Sequence, residues 1–293
     1  ASSTRLKEEI VAEDVFSKLT VFEDSYPEYM LLPPEPFFES RKKIVNNIED
    51  ICLNGQEKIV FLYGKPGIGK TSLANYLAQK MDSIIDLRYH AYIPISPDSM
   101  SVNLDSDDSI TEVMLWGSLL NQVRLLFDGR LFEFQVPVSN SLLDAQQMRK
   151  HVLRLASQYG KIHSKNTVIV IDGIDHAARS GRIENFLQSL VPPEFIPDNV
   201  IFIICGQPAE DYNNYPRWLN QNNPLVHSIE LNGVTKLDIE NLLSKINADV
   251  AEIDLYSQII YDFSEGNTLS AIFSAYSSVN SSIAIAIFLI TVL

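Results

Sequence analysis

The sequence predicts an α/β protein, a parallel sheet flanked by helices and followed by a small all-α lid. Three stretches carry that expectation. Residues 58–72, Lys-Ile-Val-Phe-Leu-Tyr-Gly-Lys-Pro-Gly-Ile-Gly-Lys-Thr-Ser, pass from an apolar run through glycines into helical spacing at Leu73, Tyr76 and Leu77. Val168-Ile169-Val170-Ile171 is an unbroken β-branched run, the mark of a strand buried on both faces, as parallel sheets require. From Asp249 onward the pattern is helical: Ile253 to Phe263, then a further helix opened by Gly266-Asn267-Thr268-Leu269. The expected divisions are an N-terminal helix and linker (1–36), the α/β core (37–231) and the helical lid (232–293).

Composition narrows the class. With 46% hydrophobic and 20% charged residues, 293 residues suit one large or two modest domains. A net charge of −14 argues against broad binding to nucleic acid or to anionic membranes, where basic patches supply affinity. Cys52 and Cys205 sit far apart in apolar segments and read as buried free thiols of a reducing compartment. The first residues lack a signal-peptide core, so the expected location is cytoplasmic.

Taken in order, residues 5–20 carry Leu6, Ile10, Val11, Phe16 and Leu19 at amphipathic helical spacing. Tyr26 to Pro36 is an extended linker rich in Pro and aromatics. Phe37-Phe38-Glu39-Ser40-Arg41 then leads into a helix from Lys42 to Cys52 with Ile44, Ile48 and Ile51 on one face.

Gly64-Lys65-Pro66-Gly67-Ile68-Gly69-Lys70-Thr71 satisfies the phosphate-loop pattern G-x-x-x-x-G-K-[ST] between a strand and a helix. Glycines let backbone N–H groups curl toward phosphate oxygens, and the helix that follows points its positive end at the same place. Lys70 would neutralise the β- and γ-phosphates, and Thr71, followed by Ser72, would ligate Mg²⁺. This is the signature of a P-loop NTPase with ATP or ADP and Mg²⁺ as cofactors.

Ile84 to Ile95 is expected to be the second strand, with His90 facing a polar neighbour. Ser96 to Ser109 is an acidic loop. Its Asp105-x-Asp107 start fails as a calcium loop, because the sixth position is Ile110 and the twelfth Trp116. Ile110 to Phe127 is helical, a less regular stretch holds Phe132, Phe134 and Val136, and Leu142 to Tyr159 is a helix capped by Gly160. The next strand ends in Asp172-Gly173-Ile174-Asp175-His176. Asp172 stands where Mg²⁺ on a phosphate loop needs a carboxylate, and Asp175 is spaced to orient or deprotonate the attacking water.

Val200 to Cys205 is a further buried strand. Gln207 at its C-terminal edge is a candidate reader of the γ-phosphate or the water, because that edge is where doubly wound sheets bind ligands. Arg179, Arg182 and Arg217 are candidate phosphate contacts. After a last strand, Val226 to Leu231, Thr235-Lys236-Leu237-Asp238 matches a guanine-reading pattern, but reads better as a helix cap over a helix running to Ile246. Adenine is therefore favoured. The final run, Ile283 to Leu293, is too short to span a bilayer and reads as a core helix cut short.

Together these residues resemble the STAND class of P-loop ATPases, relatives of AAA+ proteins. The matching pieces are Phe38 to Arg41, Gly64 to Thr71, the Asp172-to-His176 signature, and Glu265 to Leu269, similar to the family's Gly-x-Pro lid motif. The family often has Glu where His176 stands, and Thr268 replaces the Pro that packs on adenine. The resemblance implies a five-stranded sheet in the additional-catalytic-acid order and a lid, with Phe38, Arg41 and Thr268 near the nucleotide. It further implies a slow ATPase switch that self-associates when triggered and drives an effector, commonly in bacterial antiphage defence or signalling. The sensor and effector domains that the resemblance implies are not read in this sequence and are expected outside it.

Two other functions compete, beside a DNA-loading ATPase that the acidic balance weighs against. One is a nucleotide-dependent assembly module that hardly hydrolyses. The other is a P-loop small-molecule kinase, disfavoured because residues 232–293 contain no arginine for a phosphate-binding lid.

Overall fold

The computed structural model describes residues 38–79, 83–91, 110–127, 144–179, 184–220, 222–246 and 253–279. A 3-10 turn at Glu39–Arg41 leads into α1 (Lys42–Asn54), β1 (Ile59–Tyr63), α2 (Lys70–Gln79) and β2 (Ile85–His90). Then come α3 (Glu112–Leu125), α4 (Ala145–His163), β3 (Thr167–Asp172), and the short helices α5 (Ile174–Arg179) and α6 (Glu184–Ser189). The chain continues through β4 (Val200–Gly206), α7 (Arg217–Asn220), β5 (Val226–Glu230), α8 (Lys236–Ile246), α9 (Ile253–Ser264) and α10 (Thr268–Val279).

The strands form one five-stranded sheet, parallel throughout, in the order β2-β3-β4-β1-β5. That is the additional-catalytic-acid order that the family resemblance implies. Period-2 alternation divides each apolar run between two layers. Ile59, Phe61, Ile169, Ile171, Phe202 and Ile204 face α3 and α4 through Leu115, Trp116, Leu119, Val152 and Leu155. Val60, Leu62, Val168, Val170, Ile201, Ile203 and Cys205 face α1 and α2 through Val45, Ile48, Cys52, Leu73 and Leu77. Each such fully buried aliphatic side chain contributes about 1.5–3 kcal/mol. The same alternation decides where the site forms, since Asp172 follows Val168 and Val170 onto the α2 face.

The helical C-terminal part has its own small core of Val234, Ile239, Leu242, Leu243, Ile260, Ala271 and Ala275, joined by Phe38 from the start of the described chain. Thr235 and Asp238 cap α8 reciprocally: the Thr235 N–H reaches Asp238 at 2.9 Å, and the Asp238 N–H reaches the Thr235 hydroxyl at 3.2 Å. Asp238 also accepts the Ser40 N–H at 3.2 Å, so its carboxylate is committed to structure rather than to a base. Cys52 and Cys205 are both buried free thiols.

Two boundaries differ from expectation. The second strand ends at His90; the residues 92–95 assigned to it lie outside the described residues, as do the calls on 5–20, 26–36, 96–109, 132–136 and 283–293. Gly160 does not cap α4. The helix continues to His163 and closes on Ser164, which itself adopts the left-handed conformation at φ 52°. Gly160 is needed for close approach instead: a Cβ there would stand 2.6 Å from both the Lys165 carbonyl and the Asn199 amide nitrogen. Gly160→Ala is therefore expected to lower stability by about 1–3 kcal/mol, read as a lower urea midpoint with unchanged slope. An unchanged midpoint would show that this approach relaxes freely.

Candidate functional site

β1 delivers the chain to the site and α2 carries it away. Between them the loop turns at Gly67 (φ +73°) and Gly69 (φ +97°), a left-handed region that side chains with a Cβ rarely enter. The first intrahelical bond of α2 runs from the Leu73 N–H to the Gly69 carbonyl at 2.9 Å. The N–H groups ahead of it have no partner within the helix, which makes this terminus a ready anion site. The Lys70 ammonium curls back to donate to the carbonyls of Gly64 (2.8 Å) and Lys65 (3.1 Å). Burial lowers its pKa, opposed by the nearby charges of Asp175 and Asp172.

Strand register assembles the next part. His90, Asp172, Cys205 and Leu62 are successive partners across β2, β3, β4 and β1, so they form one row at the carboxyl end of the sheet on the α2 face. His90 Nδ1 lies 3.2 Å from Asp172 Oδ2, with both side chains almost wholly buried. Thr71 and Cys205 lie close enough to bear on the Asp172 carboxylate. Burial alone would raise the Asp172 pKa. The hydrogen bond and charge of His90, with Thr71 and Lys70, outweigh it and hold the carboxyl below its ordinary range. A hydroxyl and an ionised carboxylate side by side are hard oxygen donors, the set that suits Mg²⁺, which takes few protein ligands and completes its shell with phosphate and water. Among the described residues no group of three or more His, Cys, Asp and Glu is arranged to hold a metal ion on its own.

Asp175, one residue into α5, follows a left-handed turn at Gly173 (φ +83°) and is 4% exposed. Its Oδ2 accepts two bonds, from Gln207 Nε2 at 2.9 Å and from Arg179 Nη2 at 2.8 Å. The Tyr212 hydroxyl donates to Gln207 Oε1 at 3.2 Å and fixes the amide's orientation.

The lid touches the loop directly. Three successive loop carbonyls accept bonds from the start of α10: Pro66 from Asn267 Nδ2 at 2.9 Å, Gly67 from the Leu269 N–H at 3.0 Å, and Ile68 from the Thr268 hydroxyl at 2.9 Å. Arg41 completes the joint. Its buried guanidinium donates to the carbonyls of Asn232 (2.5 Å) and Ile68 (3.2 Å) and to the Thr268 hydroxyl (3.3 Å).

The sequence-derived candidates thus fall into two groups. Gly64 to Ser72, Asp172, Asp175 and Gln207 surround the loop and the strand ends. Arg41 and Thr268 meet on the outer, carbonyl side of the loop, while Phe38 is buried in the lid core. Arg179 reaches Asp175, Arg217 is exposed on α7, and Arg182 lies outside the described residues. Sequence reasoning did not assign site roles to His90, Cys205, Tyr212 or Asn267. For His90 a signal existed: in the expected strand order its strand neighbours the one ending in Asp172.

The AAA domain family matches residues 53–211, which spans the loop, both aspartates and Gln207. No curated protein sequence matches the chain. Among solved structures, the fold is similar to the Walker-type ATPase of Pyrococcus abyssi, with a TM-score of 0.53 and 14% identity over 86% of this chain and 71% of that one. A STAND protein with a tetratricopeptide repeat sensor from Pyrococcus horikoshii aligns with a TM-score of 0.45 and 17% identity over 82% of this chain. The Aeropyrum pernix ORC2 protein aligns at 0.48 and 14% over 84%. This chain spans 30% and 63% of the length of those last two proteins.

Proposed function

The chain belongs to the AAA domain family, and on that premise we propose that it is an ATP-binding, slowly ATP-hydrolysing switch of the STAND type. Its nucleotide state would control self-association and an effector lying outside this chain, in bacterial defence or signalling, in the cytoplasm. Residues 37–231 form the nucleotide core in this reading and 232–293 the lid. No described helix is long and apolar enough to cross a membrane.

Lys70 leaves the Gly64 and Lys65 carbonyls to meet the β- and γ-phosphates, which the loop's N–H groups surround. Thr71 and Asp172 would hold Mg²⁺, which when bound would neutralise charge on the phosphates. Asp175 orients the attacking water and takes its proton, and Gln207 positions Asp175. With Oδ2 of Asp175 engaged by both Arg179 and Gln207, the base is not poised for fast turnover, which supports slow hydrolysis. The same contact favours the assembly-module reading if hydrolysis proves negligible.

One observation carries the switch. Asn267, Thr268 and Leu269 hold three consecutive carbonyls of the loop whose N–H faces receive phosphate, so a change in loop geometry is a change in the lid's footing. The test is calorimetric binding of ATP, ADP and GTP with Mg²⁺. ATP and ADP are expected to bind, GTP more weakly, and Lys70→Ala to weaken ATP about 100-fold. If the wild-type chain binds no adenine nucleotide and none raises its melting temperature, the reading fails.

A further inference from the structure

The proposed mechanism uses Asp172 but leaves unused the imidazole beside it. His90 is 1% exposed, at the last position of β2, and its Nδ1 faces Asp172 Oδ2 at 3.2 Å. At that distance an imidazole N–H facing a carboxylate oxygen is the donor of the pair, so Nδ1–H points at Oδ2. The backbones on either side are also tied: the Ala91 N–H donates to the Asp172 carbonyl at 2.8 Å, and the Gly173 N–H to the Cys205 carbonyl at 3.0 Å. Main-chain bonds thus fix where Asp172 starts, and His90 fixes which way its carboxylate plane turns.

We propose that His90 is the positioning residue of the cation site: by engaging Oδ2 it holds the Asp172 carboxylate in the orientation that, with the Thr71 hydroxyl, receives Mg²⁺. The inference rests on the Mg²⁺–nucleotide reading of the same site.

Three features make a purely packing role a poorer account. The residues on either side, Tyr89 and Ala91, face the opposite layer and belong to its core, so the α2 face at this position had no need of a polar ring for fold reasons. An aliphatic residue would continue the apolar face that Val168, Val170, Ile201 and Ile203 already build. Instead the register sets the His90 imidazole and the Cys205 thiol on either side of Asp172 in one row, with His90 Nδ1 on its carboxylate. Mg²⁺ demands near-ideal octahedral geometry, so a carboxylate free to rotate would bind it less well. Groups that orient a metal ligand are worth about 10–100-fold in metal affinity when removed.

The experiment measures ADP affinity by calorimetry in excess MgCl₂ and again in EDTA, for the wild-type chain and His90→Leu, His90→Asn and His90→Gln. The ratio of the two affinities isolates the contribution of the cation, and the EDTA arm reports an intact phosphate loop. The Asn amide nitrogen stands near the place of Nδ1, whereas that of Gln stands near Nε2. His90→Leu and His90→Gln are expected to lose about 10-fold of the Mg²⁺-dependent gain with unchanged affinity in EDTA, and His90→Asn to keep most of it. If His90→Leu does not fold, the contrast between Asn and Gln decides alone. An equal gain in all the variants, or an equal loss in MgCl₂ and EDTA, overturns the inference. A wild-type chain that binds ADP without any Mg²⁺-dependent gain overturns the cation reading itself, a separate failure.

Discussion

Asp175→Asn is expected to cut ATP turnover by about 10³-fold while leaving Mg²⁺–ADP affinity close to that of the wild-type chain. Asp175 reaches its place through a local device, the left-handed turn at Gly173, and then sits in the first turn of α5, 4% exposed. Asparagine has the same shape, and its carbonyl oxygen can still accept from Gln207 Nε2 and Arg179 Nη2. Packing therefore survives, and what disappears is the ability to accept a proton from water. In the proposed site the phosphates would be met by Lys70 and the loop N–H groups and not by Asp175, so binding has no reason to change. Single-turnover hydrolysis of ATP, with ADP affinity measured alongside, checks both halves. Turnover within a few-fold of wild type removes Asp175 from the chemistry; a parallel collapse of ADP affinity makes it a structural residue instead.

The part of this site legible in the sequence is the part built locally. Gly64 to Thr71 is one contiguous device, strand to loop to helix, and each residue type in it has a backbone or charge reason that needs no knowledge of distant contacts. Asp172 was legible for a related reason: a β-branched run must be a buried strand, and a carboxylate at its end needs a purpose. The strands followed from short apolar runs and the C-terminal helices from 3.6-residue spacing, whereas the five-stranded order was what the resemblance implied.

What stayed hidden depends on pairing across the chain. His90 and Asp172 are 82 residues apart and become partners only through the register between β2 and β3. The lid's grip on the loop joins residues about 200 apart: Asn267 with Pro66, Thr268 with Ile68. Gly160 shows a different failure. A glycine near a helix end ordinarily signals a left-handed cap, but here the crowding of Lys165, Thr167 and Asn199 excludes a side chain, and Ser164 supplies the positive φ. Local rules give a glycine's conformational freedom; only the packed structure shows whether freedom or space is what the position uses.

Arg41→Ala is expected to lower stability by about 3 kcal/mol, a large effect for one side chain, and to loosen the lid from the core. The guanidinium is buried and reaches acceptors in three segments far apart in sequence: Asn232 before α8, Ile68 in the loop, and Thr268 at the start of α10. Burial lowers its pKa, opposed by the Asp238 carboxylate, which itself holds the Ser40 N–H next door. Truncation leaves buried carbonyl oxygens short of a donor and opens a cavity between lid and core. Lysine keeps the charge but not the planar fork, so Arg41→Lys should restore only part of the loss. Urea unfolding gives the magnitude, and amide hydrogen exchange gives the location. Protection in 267–272 should fall further than in β3 and β4, whose bonds lie within the sheet. Equal loss in both places would mean that lid and core unfold as one unit, and that Arg41 contributes general stability rather than a joint. A selective loss in the lid makes Arg41 the hinge pin through which the state of the loop reaches the helices beyond it.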